Sequence, residues 1–257
     1  MLRLVTPAIV VRTVDYGEAD RIVTLFCREA GKLSAIARGA RKSTRRFGAG
    51  LSLFGTGEAK LTERPGSELA TLESFDGARG FPHLTMDMVK VAHGGYACEL
   101  VRELSPPRQP EPEVFDLLIE LLERLDGEPA RAESLRLFEL RLLDLVGLRP
   151  ELERCLGCGA VALDGNGQAF EGRRGGVVCG ACRLEGAGQG VALSGEARQA
   201  LVRMQEATLA SASELTLAPA VNAACRDALS ALITFHLGRP LKSVEFIAKL
   251  SGALRAL

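Results

Sequence analysis

Two pairs of cysteines constrain the fold of this chain more than any other feature. Cys155 and Cys158 form the first pair, Cys179 and Cys182 form the second, and twenty residues separate the inner cysteines. Two residues between ligands let one turn aim two sulfurs at a single ion, and two such turns complete a tetrahedral thiolate shell. The intervening stretch is rich in glycine, which suits a ribbon with tight turns. The spacing predicts a structural metal site.

Other uses of these cysteines fit the pattern less well. A redox pair of the thioredoxin type needs one Cys-x-x-Cys at a helix start in a βαβ unit, whereas this chain has two in a glycine-rich ribbon. A catalytic zinc keeps an open position and normally has a histidine ligand, but His83, His93 and His236 are all distant in sequence. Ribbons of this kind can also persist without metal, and that alternative stays open. The isolated cysteines are predicted to be buried small hydrophobic residues: Cys27, Cys98 and Cys225.

The charge of the chain is unevenly distributed. The formal net charge is zero, so any affinity for nucleic acid must be local. Residues 1–80 contain 13 Lys and Arg against 9 Asp and Glu, whereas residues 99–153 contain 7 against 14. A basic first part joined to an acidic middle indicates one surface for polyanions and another for a different purpose.

A run of cations follows the third strand-like segment. Its basic residues are Arg38, Arg41, Lys42, Arg45 and Arg46, and no acid interrupts them. Such a run is either a solvated loop or a phosphate-binding arm, because clustered cations release the counterions condensed on nucleic acid. Its position between strands of a β module favours the arm. Arg12, Arg21 and Lys32 could extend this basic face, or each could be an ordinary solvated residue of a strand. Phe47 could stack on a base or pin the run to the protein, and Tyr16 is a weaker candidate for stacking.

The first 80 residues predict a small β-barrel. Short β-branched segments at 5–13, 21–27, 32–37, 51–62 and 67–74 are joined by turns that contain glycine. Five short strands fit an OB-fold, and a small SH3-like barrel is the alternative.

After residue 80 the apolar residues recur at helical spacing. Helices are predicted over 83–104, 112–125, 131–146 and 219–237, and Ser194 is a good N-cap for another. We therefore expect an α+β multidomain protein. The predicted domains are a barrel at 1–80, a helical domain at 81–150 and 191–257, and a ribbon inserted at 151–190.

The order of these parts resembles the RecO family of bacterial recombinational repair mediators. Residues 8–11 and 23–26, with Tyr16, Glu18 and Asp20 between them, are similar to that family's opening strands. Residues 37–41, Ala-Arg-Gly-Ala-Arg, are similar to its signature loop. Near the end, residues 235–238 with Pro240, Lys242 and Ser243 resemble its terminal helices. The likeness extends over essentially the whole chain.

The resemblance implies a function as well as a fold. It implies an OB-fold followed by a helical domain with a zinc ribbon, and a protein that binds single- and double-stranded DNA and anneals complementary strands. The implied partners are RecR and the single-stranded-DNA-binding protein, whose coated strands would be loaded with RecA. The implied location is the bacterial cytoplasm, in association with the nucleoid.

Some classes of function are disfavoured by the sequence itself. No apolar stretch reaches the roughly 18 residues that a membrane span needs, and the start of the chain lacks the pattern of an export signal. Gly48-Ala49-Gly50 lacks the trailing Gly-Lys-Ser/Thr of a nucleotide-binding loop, so a non-enzymatic protein is expected. A protein that binds RNA or the transcription apparatus is the alternative, because barrels and zinc ribbons also serve there.

Overall fold

A computed structural model of the chain describes residues 2–42, 44–47, 51–161, 167–185 and 190–255. The chain forms two compact units. The first contains residues up to Pro129 together with those from Ser243, and the second contains Ala130–Lys242. The domain boundaries that the sequence predicts, at residues 80, 150 and 190, stay predictions.

The first unit begins with a five-stranded closed barrel. Its strands are Leu2–Tyr16 (β1), Asp20–Cys27 (β2), Gly31–Ala37 (β3), Thr56–Glu63 (β4) and Ala70–Arg79 (β5), in the order β1-β2-β3-β5-β4. β1 pairs antiparallel with both β2 and β4, and β3 pairs parallel with β5. A short helix, Thr44–Phe47 (α1), lies between β3 and β4. This arrangement confirms the predicted OB-type barrel over the SH3-like alternative.

Alternation along the strands fills the barrel with small and branched side chains. β3 shows it most plainly, because its seven residues alternate between buried and half-buried. Phe47 is 1 % exposed and belongs to this core, so it pins α1 to the barrel and cannot stack on a base. Phe54 is also buried. The sequence had suggested a strand at this position, but Phe54 lies in a turn before β4, with φ 72°.

Three helices follow the barrel in the first unit: Pro82–Met86 (α2), Met88–Leu104 (α3) and Pro112–Gly127 (α4). The sequence predicted one helix over 83–104, but the helix is interrupted at Asp87. The Asp87 carboxylate accepts hydrogen bonds from the N–H groups of Val89 and Lys90 and so starts a new helix. α3 then runs without a break through Gly94 and Gly95.

The second unit combines helices with a small sheet. Its helices are Ala132–Leu145 (α5), Gly180–Glu185 (α6), Gly195–Gln205 (α7) and Pro219–Leu237 (α8). The strands Ala169–Glu171 (β6), Gly176–Val178 (β7) and Val191–Ala192 (β8) form a sheet in the order β7-β6-β8. The Ser194 hydroxyl accepts a hydrogen bond from the Ala197 N–H at 3.1 Å, which confirms the predicted cap of α7.

The last helix is Lys242–Arg255 (α9), which belongs to the first unit from Ser243 onwards. The Ser243 N–H donates to a carboxylate oxygen of the buried Glu99 in α3 at 2.8 Å, so the start of α9 is attached to α3. Among the described residues, no helix is long and apolar enough to cross a membrane.

Candidate functional site

The four cysteines of the two pairs meet in the second unit. Their sulfurs all lie within 4.8 Å of one another, and the Sγ atoms of Cys158 and Cys179 are 3.9 Å apart. With Zn–S bonds of about 2.3 Å, the sulfurs of a tetrahedral site are separated by about 3.8 Å. The spacing therefore suits a metal ion held by four thiolates, and it is much longer than a disulfide bond.

Backbone amides surround one of these sulfurs. The N–H groups of Cys179 and Gly157 donate to Cys155 Sγ at 3.2 and 3.4 Å. Although burial opposes it, these hydrogen bonds lower the pKa of Cys155 to about 6. Hydrogen bonding to Cys179 and Cys158 raises the pKa of Cys182 to about 12. Four sulfurs this close cannot all ionise unless a cation supplies the compensating charge.

Gly157 is required at its position by the fold of the cluster. A Cβ atom there would lie 2.7 Å from Cys182 Sγ and 2.8 Å from Cys182 Cβ, closer than any side chain can approach. Gly159 has φ 75°, which favours glycine, and its N–H donates to the Cys155 carbonyl at 2.8 Å. The first pair of cysteines therefore sits on a turn that only these glycines allow.

Buried side chains of α7 hold the chain that enters the cluster. Arg198 donates to the Leu152 carbonyl at 3.2 Å, and the Gln205 amide donates to the Pro150 carbonyl at 2.8 Å. The isolated cysteines take no part in the cluster, as predicted. Burial raises the pKa of Cys27 and Cys98 to about 12 and that of Cys225 to about 11, so these thiols are unreactive small hydrophobic residues.

The second candidate site is the basic run, which we call the basic segment (residues 38–46). It leaves the end of β3 and lies against the turn between β1 and β2. The Gly39 N–H donates to Asp20 Oδ1 at 2.8 Å, and the Arg41 N–H donates to the Ala19 carbonyl at 3.0 Å. These two bonds fix the path of the backbone at the start of the segment. The sequence pattern did not indicate this role of Asp20, and the available signal was its place in the turn after the first strand.

The described cations of the basic segment are all exposed: Arg38, Arg41, Lys42 and Arg46. No acid pairs with Arg38 or Lys42 within the described part of the chain. The Arg41 guanidinium lies 3.3 Å from the Glu18 carbonyl and 3.9 Å from a carboxylate oxygen of Asp15. The second contact is long and exposed, so it neutralises little of the Arg41 charge.

The end of the segment is tied back to its own start. Arg46 Nη2 donates to the Arg38 carbonyl at 2.7 Å, and the guanidinium carbon lies 5.0 Å from the centre of the Phe47 ring. Neither contact cancels the positive charge, since a carbonyl and an aromatic face are both neutral. Arg45 lies in α1, but its side chain is outside the described residues.

The three further cations suggested for the basic face are placed differently. Arg21 pairs with Asp15 at 2.9 Å. Arg12 is exposed on β1 opposite Thr24. Lys32 instead points its ammonium group at the helices, where it donates to the Arg102 carbonyl, and burial lowers the pKa of Lys32. This contact gives Lys32 a structural role and takes its ammonium group away from the basic face.

Several cations of the first unit pair with acids. These pairs are Arg21 with Asp15, Arg28 with Asp116, Lys60 with Asp76, Arg102 with Glu103, and Arg108 with Glu63. Among the described residues of the barrel, Arg3, Arg12 and Arg64 are exposed without an acid partner, as are Arg38 and Lys42 of the basic segment. Arg3, Arg12 and Arg64 are isolated in the sequence, whereas Arg38 and Lys42 belong to one run that also contains Arg41 and Arg46. The density of its cations therefore distinguishes the basic segment.

These features define a class of protein: an OB-type barrel followed by helices that carry a four-cysteine cluster able to hold a metal ion. Two family models match nearly all of the chain. Recombination protein O N terminal matches residues 1–81, and Recombination protein O C terminal matches residues 86–245. The chain belongs to the RecO family of DNA repair proteins, as the order of its motifs had indicated.

Curated proteins named DNA repair protein RecO are similar to this chain over nearly its whole length. The chain is 42 % identical over 256 residues to the DNA repair protein RecO of Anaeromyxobacter sp. (strain K), covering 100 % of both chains. It is 40 % identical to the protein of the same name from Myxococcus xanthus (strain DK1622), over 94 % of this chain and 96 % of that protein. For Geobacter sulfurreducens the identity is 37 %, over 95 % and 97 %.

Proposed function

We propose that this chain is a non-enzymatic mediator of recombinational repair. It binds single- and double-stranded DNA through its barrel, anneals complementary strands and helps to load RecA on strands coated by the single-stranded-DNA-binding protein. RecR and the single-stranded-DNA-binding protein are its protein partners, and it works in the cytoplasm at the nucleoid. Membership of the RecO family supports this proposal.

One observation carries the DNA-binding part of the proposal: the exposed, acid-free cations of the basic segment. An annealing protein must hold phosphates without reading bases, so that the bases stay free to pair. Arg38 and Lys42 are available for such contacts. We assign Arg41, Arg45, Arg46 and Arg12 to the same DNA-binding surface. Because the backbone at Gly39 and Arg41 is fixed, the segment is partly preorganised and loses less entropy on binding.

We assign a structural role to the cysteine cluster, with Zn²⁺ as the ion. Four thiolates close a tetrahedral shell and leave no open position for a substrate or an activated water. The ligands would be Cys155, Cys158, Cys179 and Cys182. The ion would hold the two pairs of cysteines together. Because α7 bonds to the chain that enters the cluster, the ion would also stabilise the packing of that chain against α7.

Salt dependence of DNA binding tests the role of the basic segment. Arg38→Ala combined with Lys42→Ala should weaken binding of a single-stranded oligonucleotide and reduce the log–log slope with salt by about 0.7 for each lost phosphate contact. The matched control is Arg28→Ala with Lys60→Ala, which removes the same charge from residues that acids already balance. An equal change in slope for both double variants would show that only net charge matters and would refute the assignment.

Three further measurements test the rest of the proposal. The chain should anneal complementary strands coated with their single-strand-binding protein, and failure to do so would refute the mediator function. The alternative, binding to RNA or the transcription apparatus, requires tighter binding to single-stranded RNA than to DNA of equal length. Clear turnover in ATPase, nuclease or deaminase assays would refute a non-enzymatic function.

A further inference from the structure

The four cysteines of the cluster differ in how far solvent can reach them. Cys155 is only 2 % exposed, and its sulfur accepts hydrogen bonds from two backbone N–H groups. Cys158 is exposed, as are all of residues 156–160 around it. Cys179 and Cys182 are half-buried. Because a dissolved reagent attacks the sulfur that it can reach, Cys158 is the first target of an oxidant from solution.

A cysteine of the other pair lies close to this exposed sulfur. The Sγ atoms of Cys158 and Cys179 are 3.9 Å apart. A disulfide bond of about 2.05 Å would require these sulfurs to approach by about 2 Å. Because residues 156–160 are exposed, their turn can move this far without opening the core of the second unit. The structure therefore places two sulfurs of different pairs where one bond can join them.

We propose that Cys158 and Cys179 form a disulfide when hydrogen peroxide oxidises the cluster, and that this bond replaces the metal ion as the link between the two pairs. The inference rests on the structural role proposed for the cluster, because the bond takes over that role. The pairs lie on different parts of the second unit. The first pair follows Leu152, which α7 binds, and the second pair directly follows β7.

The reaction needs only the two sulfurs and the peroxide. The Cys158 thiolate attacks one peroxide oxygen, so an S–O bond forms, the O–O bond breaks and hydroxide leaves. The Cys179 thiolate attacks the sulfur of this sulfenic acid, so the S–S bond forms, the S–O bond breaks and a second hydroxide leaves. The sulfurs lose two electrons and the peroxide gains them, while two protons from the solvent convert the hydroxides to water. Cys155 and Cys182 alone do not close a tetrahedral shell, so the cluster no longer holds the ion.

The position of the bond decides what happens to the fold. A disulfide inside either pair would leave the two pairs unconnected once the ion is lost. A bond between Cys158 and Cys179 instead closes the loop that contains β6 and β7, which restricts the unfolded chain and stabilises the folded one. The second unit would then stay folded under oxidising conditions that remove the metal. Peroxides also damage DNA, so a repair protein is needed under those same conditions.

The sequence allows a direct test, because trypsin separates the two pairs of cysteines. Cleavage after arginine leaves the first pair in the peptide 155–173 and the second pair in the peptide 175–183. The zinc-loaded chain is treated with hydrogen peroxide, its remaining thiols are alkylated and the digest is analysed by mass spectrometry. We expect the two peptides to be joined through Cys158 and Cys179. Separate peptides with a disulfide inside each, or peptides joined through other cysteines, would overturn the inference.

The three isolated cysteines serve as an internal control in the same digest. Cys27, Cys98 and Cys225 are all buried, so we expect them to stay reduced and to be alkylated only after the chain is unfolded. Oxidation of these three to the same extent as Cys158 would show that the peroxide acts on an unfolded chain, and would overturn the inference.

Two matched variants test the choice of Cys179. Cys179→Ser and Cys182→Ser each remove one thiolate from the same pair, so both weaken metal binding. After peroxide treatment, the joined peptides should persist in Cys182→Ser and should be lost in Cys179→Ser. The same result in both variants would overturn the assignment of the bond.

Thermal unfolding tests whether the bond replaces the ion. The metal-free oxidised chain, prepared with peroxide and then a chelator, should unfold at least about 10 °C above the metal-free reduced chain, prepared with a chelator and a reductant. The zinc-loaded chain is the reference for full stability. Dithiothreitol should remove the difference between the two metal-free forms, because it reduces a disulfide but not a sulfinic acid. Equal unfolding temperatures of these two forms would overturn the inference.

Metal content keeps this inference distinct from the proposed role of the cluster. If the reduced chain contains no zinc and takes none up, the structural role proposed for the ion fails. If the reduced chain binds zinc but peroxide leaves the two tryptic peptides separate, that role stands and the disulfide is refuted.

Discussion

The carboxylate of Asp20 accepts a hydrogen bond from the backbone N–H of Gly39, with 2.8 Å between Oδ1 and N. This bond joins the turn between β1 and β2 to the first residues of the basic segment. Gly39 has φ 68°, a conformation that favours glycine and turns its N–H towards Asp20. Asp20 therefore fixes the backbone of the basic segment and does not pair with one of its cationic side chains.

Asp20→Ala should loosen the basic segment. We expect the Gly39 amide to exchange with solvent about tenfold faster or more, because a hydrogen bond to a charged group contributes about 1.5–3 kcal/mol. Hydrogen exchange followed by NMR measures this rate. Glu18→Ala is the control. Glu18 is a neighbouring acid that contacts Arg41 through its main-chain carbonyl, and this variant keeps that carbonyl. Equal exchange rates at Gly39 in both variants would contradict the role given to Asp20.

Cys155→Ser combined with Cys179→Ser should abolish most of the bound metal, because each pair then keeps a single thiolate. Elemental analysis of the purified chain measures the metal content. We also expect the second unit to unfold at lower temperature, while the barrel in the first unit keeps its structure. Cys98→Ala, which changes a buried cysteine outside the cluster, should retain the metal. Full metal content in the double variant would show that the ligands lie elsewhere.

Metal uptake should release protons near neutral pH. The pKa of Cys182 is raised to about 12 in the metal-free cluster, so this thiol is protonated at pH 7.5, whereas Cys155, with a pKa of about 6, is largely ionised. Because the ion binds thiolates, protonated thiols must lose their protons, and affinity should rise as the pH rises. Calorimetric titration with Zn²⁺ in buffers of different ionisation enthalpy counts the protons. An affinity independent of pH would count against thiolate ligation.

Gly94 and Gly95 are adjacent in α3 but should respond in opposite ways to alanine. A Cβ at Gly95 meets nothing within 4 Å, so Gly95→Ala should stabilise the chain by about 0.5–1 kcal/mol through helix propensity. A Cβ at Gly94 would lie 3.0 Å from the Phe54 ring and 3.2 Å from Leu122. Gly94→Ala should therefore be less stable than the unmodified chain by about 1–3 kcal/mol, because the added methyl group overpacks this contact. Urea unfolding of both variants measures the difference, and equal stabilities would contradict the close packing at Gly94.

Much of this architecture follows from local patterns in the sequence. The paired cysteines predict the cluster, because two residues between ligands fix the geometry of each pair whatever surrounds it. Alternating apolar residues and glycine turns predict the strands of the barrel, and the apolar spacing of α4 and α8 predicts those helices. Ser194 predicts the start of α7, since a cap depends on bonds within a few residues.

Contacts between distant residues decided the rest. The sequence alone gave no indication that Lys32 bonds to Arg102 in α3, which removes it from the basic face. It left two roles open for Phe47, and only the structure shows that Phe47 is buried and unavailable to bases. Phe115 of α4 packs on Phe26 of β2, and Asp20 fixes the start of the basic segment. Periodicity and spacing describe what each segment prefers, whereas the partner of a side chain depends on how the chain folds back on itself.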